Sequence, residues 1–393
     1  MNKSWINRYW MIMVREMRLM ARRPLYILML VVMPAFMATF FLSMMSSGTP
    51  KEMPLAVVDK DNSSTSRNLV RTLGSMKNGK IAVRACDFKE ARALMQTGEV
   101  YGIYYIPEKF ESDLQAYRQP TISYYTNNAY MIPGSLLMTE LKTMGALGKI
   151  AVSQSTMRAK GQSEDMLMGI VQPISVETYS IGNPSGNYMT YMCNTIITGL
   201  IDIIVMLFAV YVLGKEVKDG TSLTLMRIAG DNTLLAVAAK ETPLLIISTC
   251  IYFAIDVVMY KYIGLPMKCG IATWLLLQVV YLISTISLAI FIYGLMPVMR
   301  MSLSVVSIWS VLSVSMSGLT FPVSAMPPIL QAWSNLFPLK HLHAVYMDMG
   351  LNGYGMHYSW TSIAAMMLFC LPPLLIIGGG GIRKQFTEMK YKS

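Results

Sequence analysis

Apolar and polar stretches alternate unevenly along this chain. One long apolar stretch lies near the start, a mixed region of short periodic runs follows, and five further apolar stretches crowd the second half. A helix needs about 20 mostly apolar residues to cross roughly 30 Å of hydrocarbon. Six segments meet that requirement: Leu25–Met45, Tyr191–Leu213, Leu234–Phe253 or slightly beyond, Ile271–Leu295, Ser302–Pro322 and Thr361–Gly381. The intervening region 46–190 has a different grain. Strand-like alternation at Pro54–Val58, Lys80–Ala85, Tyr101–Ile106 and Thr121–Tyr125 is separated by helical patterns at Ser63–Met76 and Asp87–Thr97, each opened by an N-cap residue, and a longer helical stretch runs from about Ile132 to Ala159. The pattern predicts an α-helical integral membrane protein of six transmembrane helices with an inserted extracytoplasmic α/β domain.

Charge fixes the expected topology. Of 393 residues, 54% are hydrophobic and only 14% charged, well below the roughly 25% of soluble domains. The net charge of +11 is concentrated at the two ends, beside apolar spans, which explains it by membrane topology and leaves no reason to expect nucleic acid as a partner. Keeping Lys215, Lys218, Arg227, Lys240, Arg300 and both basic ends on one side places both termini in the cytoplasm and region 46–190 outside; long loops translocate largely regardless of charge. The first span follows a long basic lead and exceeds the 7–15 apolar residues of a signal peptide, so it reads as an uncleaved anchor. Within the lead, 1–24, Ile6, Tyr9 or Trp10, Met13, Met17 and Met20 recur at helical spacing, which predicts a basic amphipathic helix lying in the membrane interface, in contact with lipid. The remaining expected boundaries are 25–45 for the first span, 191–381 for a five-helix bundle with a cytoplasmic loop 214–233 and an outer re-entrant or interfacial segment 323–360, and 382–393 for a basic tail.

Chemistry is sparse. The chain has no G-x-x-x-x-G-K-[ST] loop, and Gly378–Gly381 lacks the Lys and hydroxyl that hold phosphate and metal, so any ATP and Mg are expected on another chain and no cofactor on this one. The five cysteines include one alone in 46–190 and form no CxxC pair. His341 and His343 have only Asp348 as a nearby acid, and anchoring of a re-entrant segment is the better reading over zinc. No G-x-S-x-G elbow accompanies the serines, and Ser302, Ser304, Ser307, Ser310, Ser313 and Ser317 string along one apolar span, where small hydroxyl residues serve helix packing or a polar lining. Asp202 and Asp256 read as the acids inside spans, with Asp202 mid-span the sharper case; buried structural support and transport chemistry both remain open for it.

Three stretches resemble the type-2 class of ABC exporter permeases. The loop Gly214-Lys-Glu-Val-Lys-Asp-Gly-Thr-Ser-Leu-Thr-Leu-Met-Arg-Ile, followed by Lys240-Glu-Thr-Pro243, is similar to that family's pattern of acids, Gly-Thr, a short amphipathic helix and a Lys opening the next span. Ser317-Gly-Leu-Thr-Phe-Pro322, Met326-Pro327 and Phe337-Pro-Leu-Lys-His341 resemble the stretch between the family's last two spans. Leu55–Ser66 and Tyr105–Phe110 look like the external domain some members insert after the first span. Departures are Lys218, where the family often has a second acid, and Ile228-Ala-Gly230, where Thr-Pro is common. The resemblance implies a permease in the bacterial inner membrane, paired with a second, identical or paralogous permease. It also implies export powered by a separate ABC ATPase, and for some members a periplasmic adaptor and outer-membrane channel. Glu216, Gly220, Thr221, Leu223, Met226 and Arg227 would form the ATPase coupling element. Thr221 or Ser222 would be its N-cap, Gly230 its stop, and Leu223 and Met226 would share its docking face. Gly318, Phe321, Pro322, Pro327, Pro338 and His341 would belong to the outer gate or re-entrant segment, and Asp202, Ser310, Ser313 and Ser317 are the intramembrane polar candidates. An ion-coupled secondary carrier should instead show paired intramembrane acids and internal repeats, and an enzyme a convergent acid, base or metal cluster.

Overall fold

The computed structural model describes residues 4–116, 118–158, 181–296 and 298–388, with only the backbone of 151–158. Lys3, Ala159, Lys390 and Lys392, which figured in the readings of the two ends and of the long helix, lie outside the described residues. The chain divides into two compact units, one of Met1–Ser46 with Ser180–Ser393 and one of Ser47–Tyr179.

The helical unit begins with α1 (Trp5–Arg22). Six helices among the described residues are long and apolar enough to span a membrane: α2 (Pro24–Met44), α7 (Tyr188–Lys218), α9 (Thr233–Tyr262), α10 (Ile271–Leu295), α11 (Met299–Met316) and α14 (Trp360–Gly378). Between them lie α8 (Ser222–Ala229), α12 (Pro328–Ser334) and α13 (Pro338–Val345), and α15 (Gly381–Glu388) closes the chain. The second and third spans run well past the expected Leu213 and Phe253. α7 continues helical through Lys218, and α9 finishes in a π-helical turn, Val257–Tyr262. The fifth stops short of the expected Pro322 because Ser317 ends it and Gly318, at φ +93°, turns the chain where a side chain would strain the backbone. The sixth breaks at Phe369–Cys370, where Pro372 and Pro373 open a new helical turn.

Helix α7 is the centre of this unit, most of its surface being buried, whereas α2, α11 and α14 bury little and turn apolar side chains outward. Glycines allow the tight approaches: a Cβ on Gly199 would come 2.6 Å from Val314 Cγ2 and 3.0 Å from Leu339 Cδ2, so α7, α11 and α13 meet where α7 has no side chain.

The second unit is a four-stranded sheet of β1 (Met53–Asp59), β2 (Gly79–Arg84), β3 (Gly102–Ile106) and β4 (Ser123–Thr126), in the order β2-β1-β3-β4. Pairing is parallel except for β3 with β4. Helices α3 (Ser64–Leu73), α4 (Phe88–Thr97), α5 (Phe110–Gln115) and α6 (Met131–Arg158) complete it. Central β1 is apolar on both faces, as a doubly covered strand must be. Leu55 and Val57 face Leu69, Leu73 and Leu141, while Ala56 and Val58 face Ala91 and Val100. Both expected caps form: Ser63 accepts from Ser66 N at 3.1 Å and Asp87 from Glu90 N at 2.7 Å. Glu140 pins α6 to the sheet by accepting from Asn78 N and Gly79 N at 2.9 and 3.1 Å.

Candidate coupling site

The loop after α7 is built by three backbone devices. Gly220 takes a left-handed conformation (φ +69°) that reverses the chain, Gly230 (φ +70°) stops α8, and Asn232 caps α9 by accepting from Leu235 N at 3.1 Å. The Arg8 side chain lies directly over Gly230, so a Cβ there would collide as well as strain. Ser222, Leu225, Met226 and Ala229 form the buried stripe of α8, and Ser222 Oγ donates to the Phe386 carbonyl at 2.7 Å. Leu223 (50% exposed), Thr224 and Arg227 face outward.

One expectation for this loop is corrected. Leu223 and Met226 do not share a docking face: seating Leu225 and Ala229 in the core draws Met226 inward with them, to 2% exposure. Thr221 stands at the N-cap as expected, though its oxygen accepts no backbone N–H there and its hydroxyl instead donates to Glu216 Oε2 at 2.6 Å. Glu216 itself, expected in the coupling element, is buried. Continuing α7 to Lys218 turns its carboxylate inward, where Lys240 Nζ donates to Oε1 at 2.8 Å and Arg15 donates to the same oxygen. Lys240 also donates to Glu16, which is buried too. Glu241 lies buried beside them with neither carboxylate oxygen hydrogen-bonded among the described residues.

Arg15, Glu16, Glu216, Lys240 and Glu241 thus bring together α1, α7 and α9 directly beneath the start of α8. Sequence reasoning counted only Asp202 and Asp256 as intramembrane acids. Glu241, adjacent to Lys240 inside the expected third span, was the signal that this junction carries buried charge. Helix α1 joins the cluster by packing Ile12, Met13 and Met20 inside the unit and by a hydrogen bond between Tyr9 Oη and Thr242 Oγ1. Its expected single apolar face is therefore split: Met13 and Met20 pack within the protein, whereas Trp5, Ile6, Trp10 and Met17 are exposed.

Between α11 and α14 the chain folds back on itself. Gly318 turns it, Phe321 and Pro322 are exposed, Pro327 precedes α12, and Pro338 opens α13 at its first turn. Phe337 is fully buried between Trp309 and Trp333, with ring centroids 4.9 and 5.6 Å away. The two histidines serve different partners, since His341 Nε2 donates to the Asn335 carbonyl at 3.0 Å and His343 Nδ1 shares a hydrogen bond with Thr195 Oγ1 at 2.7 Å. Burial pushes both below the usual imidazole range, His343 to about 4. No metal-binding cluster of His, Cys, Asp or Glu occurs among the described residues.

Asp202, at the middle of α7, accepts from Tyr281 Oη at 2.8 Å. Ser310 and Ser313 lie on the buried side of α11, Ser310 Oγ 3.1 Å from Met206 Sδ on α7, while Ser317 Oγ donates to the Val314 carbonyl at 2.7 Å and helps end the helix.

The sequence profile of the ABC-2 family transporter proteins matches residues 24–377, from the first span to the last. The chain belongs to that family. It is also 19% identical over 367 residues, covering 92% of this chain and 95% of the relative, to the probable multidrug ABC transporter permease YbhR of Escherichia coli strain K12, and to the same degree to that of strain O157:H7. It is accordingly a multi-pass membrane protein and a transport component, of a family that normally works with an ATPase subunit. The match leaves α1 outside, so the buried cluster joins a helix beyond the family's matched region to two spans within it.

Proposed function

We propose that the chain is the transmembrane permease subunit of an ATP-binding-cassette exporter. It moves a lipidic, amphiphilic or drug-like substrate out of the cytoplasm or inner membrane, and a separate ATPase that binds ATP and Mg drives it by docking on α8. The observation that carries this reading is the outward face of α8: Leu223, Thr224 and Arg227 stand on an eight-residue helix too short to hold itself, seated by its apolar stripe in the core, by Ser222 on α15 and by its N-cap Thr221 on Glu216. Gly220 shapes that helix's entry, and Glu216 and Thr221 hold it from beneath.

The family normally works with an ATPase subunit, and the relative YbhR is described as a probable multidrug permease, which supports drug-like cargo. Both termini then face the cytoplasm, residues 46–190 form an α/β domain outside the inner membrane, and 323–360 forms a re-entrant or interfacial segment on that side. A second copy or paralogue pairs through the outward apolar faces of the spans, and an adaptor and outer-membrane channel continue the path in a two-membrane envelope.

The test is ATP-driven accumulation of a lipophilic dye in inside-out vesicles containing the chain and its ATPase. Accumulation should need both chains, and the purified permease alone should not hydrolyse ATP; transport without an ATPase would sink the reading. On a Cys-free background, an impermeant thiol reagent should label Lys109→Cys and spare Lys384→Cys in intact spheroplasts. The reverse pattern would overturn the orientation.

A further inference from the structure

The Ser47–Tyr179 unit contains a cleft of about 620 Å³ that the export reading does not use. It opens between α3, the β3–β4 side of the sheet and α6. Its floor is Leu69, Tyr104, Phe110, Leu114, Ile122 and Tyr124. Its rim is Arg118, Lys142 and Lys149, and no Asp or Glu lines it among the described residues. Arg118 is partly neutralised by Asp113 at 3.5 Å, while Lys142 and Lys149 have no ion pair among the described residues.

The two lysines stand seven positions apart on α6, two turns or roughly 10 Å along one side of the helix. Between them Gly145 also lines the cleft, and a Cβ built there meets nothing within 4 Å, so this stretch of the wall is open space rather than packing. Protein interiors leave few voids larger than a water molecule, and drug-sized ligands occupy clefts of about 300–1,000 Å³ with apolar linings and a few polar anchors. An aromatic and aliphatic floor under a cationic rim selects an apolar body ending in negative charge.

We propose that this cleft binds one free, single-chain anionic amphiphile, with its tail on the Tyr104–Phe110–Ile122 floor and its acidic head between Lys142 and Lys149. The assignment goes beyond the export reading, because a site in this unit can hold a ligand whether or not the chain transports it.

The full chain in discs of zwitterionic lipid is irradiated with a long-chain fatty acid carrying a diazirine in its tail, and adducts are mapped by mass spectrometry. Adducts are expected on peptides containing Leu69, Leu114 or Ile122, competed by unlabelled fatty acid. Gly145→Phe, which fills the open space, should abolish them, while Gly145→Ala should not. Lys142→Glu with Lys149→Glu should lower them about tenfold, since two exposed charge contacts are reversed. The methyl ester of the probe should label about as weakly as that double variant. If Gly145→Phe fails to fold, the lysine pair on the exposed rim decides. Equal labelling by acid and ester, cleft labelling unchanged in the lysine variant, or labelling confined to the spans would overturn the site. Displacement by anionic phospholipid placed in the disc would overturn the free ligand in favour of a membrane lipid.

Discussion

Helices α8 and α13 both stand between spans, and they are used in opposite ways. Helix α13 buries Pro338, Leu339, His341, Leu342, His343 and Val345, nearly its whole surface, against α7, α10, α11 and α14. Helix α8 buries one stripe and leaves Leu223 half exposed beside Arg227. α8 is too short to be stable alone in water, whereas α13 runs on into the π-helical turn Tyr346–Asn352. α13 is satisfied within the chain and belongs to its core, whereas α8 keeps one face outside the core. Both are packed by apolar side chains, but their polar ties differ: α13 is tied by His341 and His343 to neutral groups, whereas the N-cap of α8, Thr221, donates to Glu216 of the buried ion cluster. Buried ion clusters add little net stability, because desolvation offsets attraction, but they fix geometry and fail badly when one member is lost.

The largest effect is therefore expected at Lys240. Lys240→Ala strands Glu16 and Glu216 together without their shared cation, at a cost of about 3–5 kcal/mol. Thermal unfolding in detergent should show a large fall in Tm, and replacing Glu16 and Glu216 by Gln in the same chain should recover much of it. A Tm unchanged by Lys240→Ala would mean that α8 does not depend on the cluster.

Next is a pH effect confined to α13. His343 titrates at about 4 in the folded protein, against about 6.5 when exposed, so the unfolded chain binds the proton first. Its contribution is fully present above pH 6.5 and lost as pH falls through that value toward 4, by up to about 3 kcal/mol. His343→Asn should flatten that part of the stability profile. An identical profile in the variant would remove His343 as its source.

Much of this architecture was legible in the sequence. Apolar runs located the six candidate spans, and alternation located the four strands, because both signals are local. What failed depended on contacts across the chain. Met226 was placed on the docking face from i, i+3 spacing, which gives two residues neighbouring positions but not the direction of the core. Glu216 was counted in the coupling element, with nothing near it to reveal that Lys240 and Arg15 converge there. α5 was missed because its six residues are too few to show a period. Helix α1 showed its amphipathic character plainly, yet its sequence could not say that part of the apolar stripe meets α8 and α9 rather than lipid.

A smaller effect is expected where α13 and α7 touch. Gly199→Ala pushes a methyl group against Val314 and Leu339, and overpacking of this kind costs about 1–3 kcal/mol. Adding Val314→Ala should relieve it, since Val314 Cγ2 is the nearest atom; no rescue would place the strain elsewhere. Gly220→Ala, by contrast, strains only the turn into α8, where a Cβ meets no atom within 4 Å.

The smallest effect on stability, and the one that separates the two helices most sharply, is expected on the outward face of α8. Leu223→Asp with Arg227→Glu alters side chains outside the core, so unfolding should shift within about 0.5 kcal/mol. If this face is the ATPase seat, the same change removes an apolar anchor and reverses a charge at its centre, and co-purification of the ATPase should fall at least about tenfold. Met226→Asp is the informative contrast. It puts a carboxylate into the buried stripe and should destabilise the protein itself, so any loss of ATPase there would follow a loss of fold. A double variant at Leu223 and Arg227 that kept both its Tm and its ATPase, and exported dye at the normal rate, would show that α8, like α13, is complete within its own chain.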